Sequence, residues 1–294
     1  MAFDFYFAGT QCKEADYLIR DLNANVLKSY VNDKTSIKEW FEYKKQGWTG
    51  KLMIDNGAFT FYRQGGSLDI DEYIQWLNDN DEYIDYAVAL DDIPGTWQHG
   101  HTSEEVKISA EKTWQNYLYM RKRVKSPDKL LPVVHMGEHM DNLVRYLEYK
   151  DLKYLCISGL KNITNKQREE WYRKCFSYIC RLRPDIKIHC LGSATIQNAE
   201  KYPFTSMDAT SWIMTGANGS ILTDNGIIYV GDRRSLTEDE ISVLQSLLDK
   251  YDITVEQVCT NYRYRMLANV HYLYDKSKTT KLKNIKLSFK RRLF

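Results

Sequence analysis

Eight short apolar, β-rich runs recur along the chain, and each but the last is followed by a stretch long enough for a helix. They occupy residues 3–9 (FDFYFAG), 26–32 (VLKSYVN), 51–57 (KLMIDNG), 86–92 (YAVALDD), 130–136 (LLPVVHM), 154–160 (YLCISGL), 186–192 (IKIHCLG) and 204–210 (FTSMDAT). Apolar strands separated by helix-length segments imply βαβ units and a parallel sheet buried on both faces. Eight strands within about 250 residues fit a (β/α)8 TIM barrel. The competing doubly wound sheet would open with a glycine-rich first turn, and residues 9–14 (GTQCKE) lack one. The expected fold is therefore α/β: a catalytic barrel over 1–235, with C-terminal helices and a basic tail over 236–294 packed on it.

The intervening segments carry helix signals. Thr102 with Glu105, and Thr237 with Glu240, have capping-box spacing. Asp141 opens DNLVRYLEYK, and Trp171, Cys175, Tyr178 and Ile179 fall on one helical face. Several function classes are excluded at this level. No apolar run approaches the ~18 residues of a membrane span, and the mean hydropathy is -0.54. The start, MAFDFYFAGTQCK, has no basic segment before its apolar residues and makes a poor signal peptide. Six Cys without any CxxC suggest reduced thiols and a cytoplasmic protein.

In a barrel, chemistry sits at the C-terminal ends of the strands. Those ends read Asp55-Asn56-Gly57-Ala58-Phe59, Asp91-Asp92-Ile93, His135-Met136-Gly137-Glu138, Ser158-Gly159-Leu160, Leu191-Gly192-Ser193 and Met207-Asp208-Ala209. A single Asp at such a place is as readily a helix cap as a functional group. Several beside glycines favour a site, because converging carboxylates raise one another's pKa and suit acid/base or nucleophile-plus-acid chemistry. No GxxxxGK[ST], HExxH or Cys-rich metal spacing occurs, so no cofactor or metal is expected. His99 and His101 lie in a loop and read as surface residues. Cys259 and His271 offer only two possible ligands, read as lying on one helix.

These strings, in this order, resemble the tRNA-guanine transglycosylase superfamily, whose members exchange guanine in a nucleic acid for a 7-deazaguanine on a (β/α)8 barrel. The resemblance spans about residues 50–220. It makes Asp208 the nucleophile on C1′, Asp55 the general acid/base, and Asp91 the reader of the guanine N1/N2 edge, with Asp92 as the alternative if the register shifts by one. Ser158 and Gly159 would meet the O6 side, with Leu191 and Gly192 beside them. His135 would stand in for the family's glutamine, and Phe59 would stack on the extruded base. The tRNA enzymes carry a Cys-x-Cys-x-x-Cys zinc subdomain after the last strand. Here only one Cys remains in that region, so the chain is more similar to the compact DNA 7-deazaguanine transglycosylases of the DpdA type. The implied partners are DNA and a preQ0-like 7-deazaguanine base.

Charge patterning adds to this. The formal net charge is +2, but residues 276–294 hold eight Lys and Arg with no acid. Lys281, Lys283, Lys286, Lys290, Arg291 and Arg292, together with Arg233, Arg234, Arg263 and Arg265, are the candidate phosphate contacts. A solvated or packed tail is the plain alternative. Three other functions stay open: a tRNA-guanine transglycosylase, a barrel glycoside hydrolase using two of the same Asp with Trp97 and Trp212 against sugar, and an inert nucleic-acid-binding barrel. The glycosidase reading lacks a Glu at the usual strand ends, and the presence of Asp55, Asp91 and Asp208 together argues against inertness.

Overall fold

The computed structural model describes residues 3–9, 12–159, 164–192, 195–231 and 235–280. Each of the eight runs contains a strand: β1 (Asp4–Ala8), β2 (Asn25–Ser29), β3 (Leu52–Asp55), β4 (Tyr86–Val88), β5 (Leu130–Leu131), β6 (Val133–His135), β7 (Tyr154–Ser158), β8 (Lys187–Leu191) and β9 (Ser206–Ala209). Between them lie α1 (Lys13–Asp21), α2 (Lys34–Lys45), α3 (Ala58–Gln64), α4 (Ile70–Asp79), α5 (Ser103–Arg121), α6 (Met140–Glu148), α7 (Asn165–Leu182) and α8 (Ile196–Lys201).

All nine strands form one parallel sheet in the order β5-β4-β3-β2-β1-β9-β8-β7-β6. Nine strands replace the expected eight because Pro132, which has no N–H to donate, divides the fifth run into β5 and β6. The two ends of the sheet thus fall on one stretch of chain. Ala89 donates to the Leu131 carbonyl at 2.8 Å on one side, and Cys156 donates to the Pro132 carbonyl at 2.9 Å on the other. The result is a nearly closed, barrel-like sheet, compatible with a TIM-type barrel.

Strand periodicity sorts the core into two layers. Tyr6, Ala8, Leu27, Met53, Val88, Leu131, Val133, Tyr154 and Cys156 fill the interior. Phe5, Phe7, Val26, Ile54, Ile157, Cys190 and Met207, on the alternate positions, pack outward under the helices. Helix starts follow the side-chain signals. Both bonds of the Thr102–Glu105 and Thr237–Glu240 capping boxes form. His139 caps α6, which places Asp141 inside its first turn.

After β9 come α9 (Ser211–Ala217), the antiparallel hairpin β10 (Ser220–Thr223) and β11 (Gly226–Tyr229), α10 (Glu238–Leu248), α11 (Val255–Thr260) and α12 (Tyr262–Thr279). Residue 235 lies between β11 and α10, but packing runs across it. The hairpin shares a separate small core with α10 and α11. α12 packs back on α9, α1 and β1, placing Met266, Val270 and Leu273 in the main core. Cys259 and His271, expected on one helix, lie on α11 and α12, because the chain breaks at Asn261, which caps α12. No helix among the described residues is long and apolar enough to cross a membrane.

Candidate active site

The alternation that puts Met53, Val133 and Cys156 inside the barrel also aims Asp55, His135 and Ser158 inward, two residues further towards the C-terminal rim. Asp208 shares this inward face, since its neighbour Met207 points outward and its register partner on β1 is Tyr6. The expected strand ends therefore converge on one mouth.

Asp55 ends β3 and is half-buried. Its Oδ2 accepts from the Gly57 N–H at 3.0 Å. Gly57 adopts φ +84°, and a Cβ there would lie 2.6 Å from Val31, so the turn that offers this N–H requires glycine. Removal from water, then the negative charges of Asp91 and Asp208, raise the Asp55 carboxyl to about 7. A carboxyl tuned to this range can both give and take a proton at neutral pH.

Asp91 follows β4 and is held on both oxygens. Asn56 Nδ2 donates to Oδ1 at 2.8 Å, and His135 Nε2 donates to Oδ2 at 2.6 Å. Asn56 is itself fixed, donating to the Ala89 carbonyl at 2.8 Å and accepting from the Ala58 N–H at 2.7 Å. On the far side of the imidazole, His135 Nδ1 lies 3.1 Å from Glu138 Oε1, which also accepts the His135 backbone N–H at 2.7 Å. Burial opposes a charge on His135, but hydrogen bonds to Asp91 and Glu138 outweigh it and raise the imidazole to about 10. His135 is thus an imidazolium clamped between two carboxylates.

Asp208 is 5% exposed. Its Oδ1 accepts from the Gly192 N–H at 2.7 Å and from His189 Nε2 at 3.2 Å. Among the described residues, Oδ2 has no hydrogen-bond partner. The other ring nitrogen of His189, Nδ1, meets Ser206 Oγ, which in turn meets the Tyr154 hydroxyl. Cys156 lies buried within the barrel interior. Desolvation and then the charges of Asp208, Asp91 and Asp55 push its thiol well up, away from the thiolate form.

The remaining expected residues divide. Ser158 Oγ donates to the Gly159 carbonyl at 3.1 Å, at the rim, and Leu191 packs against the interior cluster. Phe59, on α3, forms an aromatic group with Tyr62 and Trp97, with centroids 6.2 and 5.9 Å away. The Arg63 guanidinium lies 5.3 Å over Trp97. Asp92 does not join the mouth: Ser109 Oγ donates to it at 2.7 Å, Lys112 pairs with it, and its N–H bonds Thr113 of α5. Trp212 is fully buried and donates to the Ala8 carbonyl at 3.0 Å, so it offers no stacking face.

Among the candidate cations, Arg265 is directed inward, donating to the carbonyls of Gly216, Val258 and Cys259. Arg263 is exposed and paired with Glu14 at 2.7 Å. Lys276, on α12, pairs with Asp224 in the turn between β10 and β11. Arg233, Arg234, Lys281, Lys283, Lys286, Lys290, Arg291 and Arg292 lie outside the described residues.

Asn56, Glu138 and His189 have no role in the sequence reading. The signals for two of them are present: Glu138 is i+3 from His135, and His189 shares the inward parity of Leu191. Among the described residues no group of three or more His, Cys, Asp or Glu is set to hold a metal ion. No protein-family model and no curated protein matches the chain.

Proposed function

We propose that the chain is a base-exchanging transglycosylase on a (β/α)8 barrel, replacing guanine in DNA with a preQ0-like 7-deazaguanine. The observation that carries this reading is the set of three inward carboxylates with three different environments. Asp208 presents an oxygen without a partner among the described residues. Asp55 titrates near neutrality, and Asp91 is held as an acceptor by Asn56 and His135.

Displacement at C1′ passes through an oxocarbenium-like state that a carboxylate can stabilise and trap. Asp208 Oδ2 bonds to C1′ as the C1′–N9 bond breaks. The electron pair leaves on the base, which takes the proton of Asp55. In the second half the incoming base gives its N9 proton to Asp55 and attacks C1′, and the C1′–Oδ2 pair returns to Asp208. Asp91 accepts from the N1–H and N2–H2 groups that mark a guanine-like edge. The target base must leave its stack to enter such a mouth, and Phe59, Tyr62 and Trp97 are the aromatic faces beside it.

The test is incorporation of labelled guanine or 7-deazaguanine into duplex DNA, with tRNA as the parallel substrate. Label in DNA that depends on Asp208 is the expected result. Label in tRNA alone moves the chain to the tRNA enzymes, and label in neither removes the base-exchange reading.

A further inference from the structure

The Asp208 carboxylate is approached by two donors on one oxygen, and one of them belongs to a chain of groups running inward through the barrel. Tyr154, Ser206 and His189 are all buried, His189 and Ser206 completely. With a neutral imidazole, one assignment of protons satisfies every contact. The Tyr154 hydroxyl donates to Ser206 Oγ, and the Ser206 hydroxyl donates to His189 Nδ1. His189 Nε2–H then donates to Asp208 Oδ1 at 3.2 Å. Ser206 thereby fixes which ring nitrogen carries the proton. The backbone supplies the second donor, Gly192 N–H, at 2.7 Å on the same oxygen. The left-handed φ of +66° at Gly192 lets the chain turn there.

We infer that His189 is a positioning residue for Asp208, and that with the Gly192 N–H it governs how readily the Asp208–C1′ bond breaks. This rests on the reading of Asp208 as nucleophile. Two donors on Oδ1 leave Oδ2 to attack. In the covalent adduct Oδ1 becomes the ester carbonyl oxygen, a weaker acceptor than a carboxylate oxygen. The donors therefore favour the free carboxylate over the ester. They make Asp208 a better leaving group when the second base attacks, and they keep the intermediate from becoming a dead end. This is electrostatic preorganisation aimed at the oxygen whose charge changes during the reaction.

The experiment compares wild type with His189→Leu, His189→Gln and Ser206→Ala. It measures label exchange into DNA, the fraction of protein that migrates as a DNA adduct on a denaturing gel, and the thermal midpoint. Removing one such donor is expected to slow exchange by about 10²-fold while the adduct fraction rises above wild type. A merely structural defect would lower both. His189→Gln keeps an N–H donor and is expected to recover exchange to within about tenfold of wild type. Ser206→Ala, which frees the ring to place its proton on either nitrogen, should fall between them. Where His189→Leu does not fold, His189→Gln and Ser206→Ala carry the comparison. Wild-type exchange with a wild-type adduct fraction in both His189→Leu and Ser206→Ala overturns the inference and leaves Asp208 as nucleophile. Absence of any Asp208-dependent adduct in the wild-type protein overturns the nucleophile reading itself.

Discussion

Two histidines stand behind two carboxylates on opposite sides of the barrel mouth, and they serve them differently. His135 lies between Asp91 and Glu138, donates from both ring nitrogens and is held charged. His189 lies between Asp208 and Ser206, with a carboxylate at one ring nitrogen and a hydroxyl at the other. The first arrangement occupies both Asp91 oxygens once Asn56 is included, which suits a group that must hold still and recognise an edge. Among the described residues the second loads one Asp208 oxygen and leaves its twin without a hydrogen-bond partner. On the function proposed above, the same residue pair gives a fixed acceptor in one place and a nucleophile in the other, and the group behind each histidine decides which.

The largest expected effect is on the Asp208 side. Asp208→Asn retains the acceptor for Gly192 and His189, so the fold should persist while exchange falls by at least about 10³-fold. Wild-type exchange rates in this variant would dissolve the contrast between the two sides.

On the Asp91 side the strongest effect should be on stability. Glu138→Ala leaves the buried His135 imidazolium without one of its two carboxylates, and breaking a buried charge pair in this way typically destabilises by about 3–5 kcal/mol. Denaturant unfolding of this variant, compared with His135→Gln, measures it. The pH dependence has a definite sign. The imidazole is raised from 6.5 to about 10 in the folded chain. The stability it contributes is whole below about 6.5 and is lost as pH rises towards about 10. A thermal midpoint that stays flat over that window in wild type would show that His135 is not clamped as a cation.

Asp55 predicts an opposite trade between stability and activity. Its carboxyl is raised from 3.8 to about 7, so the folded chain retains a proton that the unfolded chain releases. Stability falls as pH rises across that interval. Asp55→Asn should therefore be more stable than wild type at pH 8, equal to it near pH 4, and inactive in exchange. The smallest effect belongs to Asp92. Asp92→Asn should leave exchange within about twofold and cost about 1 kcal/mol, because its contacts are ordinary surface-side bonds to α5.

The two sides were not equally legible in the sequence. The eight apolar runs all hold strands, the fifth divided in two at Pro132, and the strand ends drew attention to Asp55, His135 and Asp208. Asp91 and Asp92 could not be separated by pattern, since adjacent residues beyond a strand have no fixed parity. Their fates were settled by α5, whose Ser109, Lys112 and Thr113 draw Asp92 away. Glu138 escaped notice as a functional group because it lies past the strand in a turn where Gly137 adopts φ +97°, and only the folded turn returns it to His135. His189 escaped because a lone inward His within an apolar strand looks like core. Arg265 misled in the other sense: a cation at the start of a helix reads as solvent-facing, yet its guanidinium ties α12 to the carbonyls of Gly216 and Val258.

The most direct test of the account is to locate the covalent bond. Wild-type protein is incubated with guanine-containing duplex DNA, quenched in denaturant, digested with nuclease and protease, and the peptide spanning Ser206–Ala209 is sequenced by mass spectrometry. A deoxyribose adduct on Asp208, absent from Asp208→Asn and unaffected by Asp92→Asn, is the predicted result. An adduct on Asp55 or Asp91 would contradict the division of roles between the two sides of the barrel.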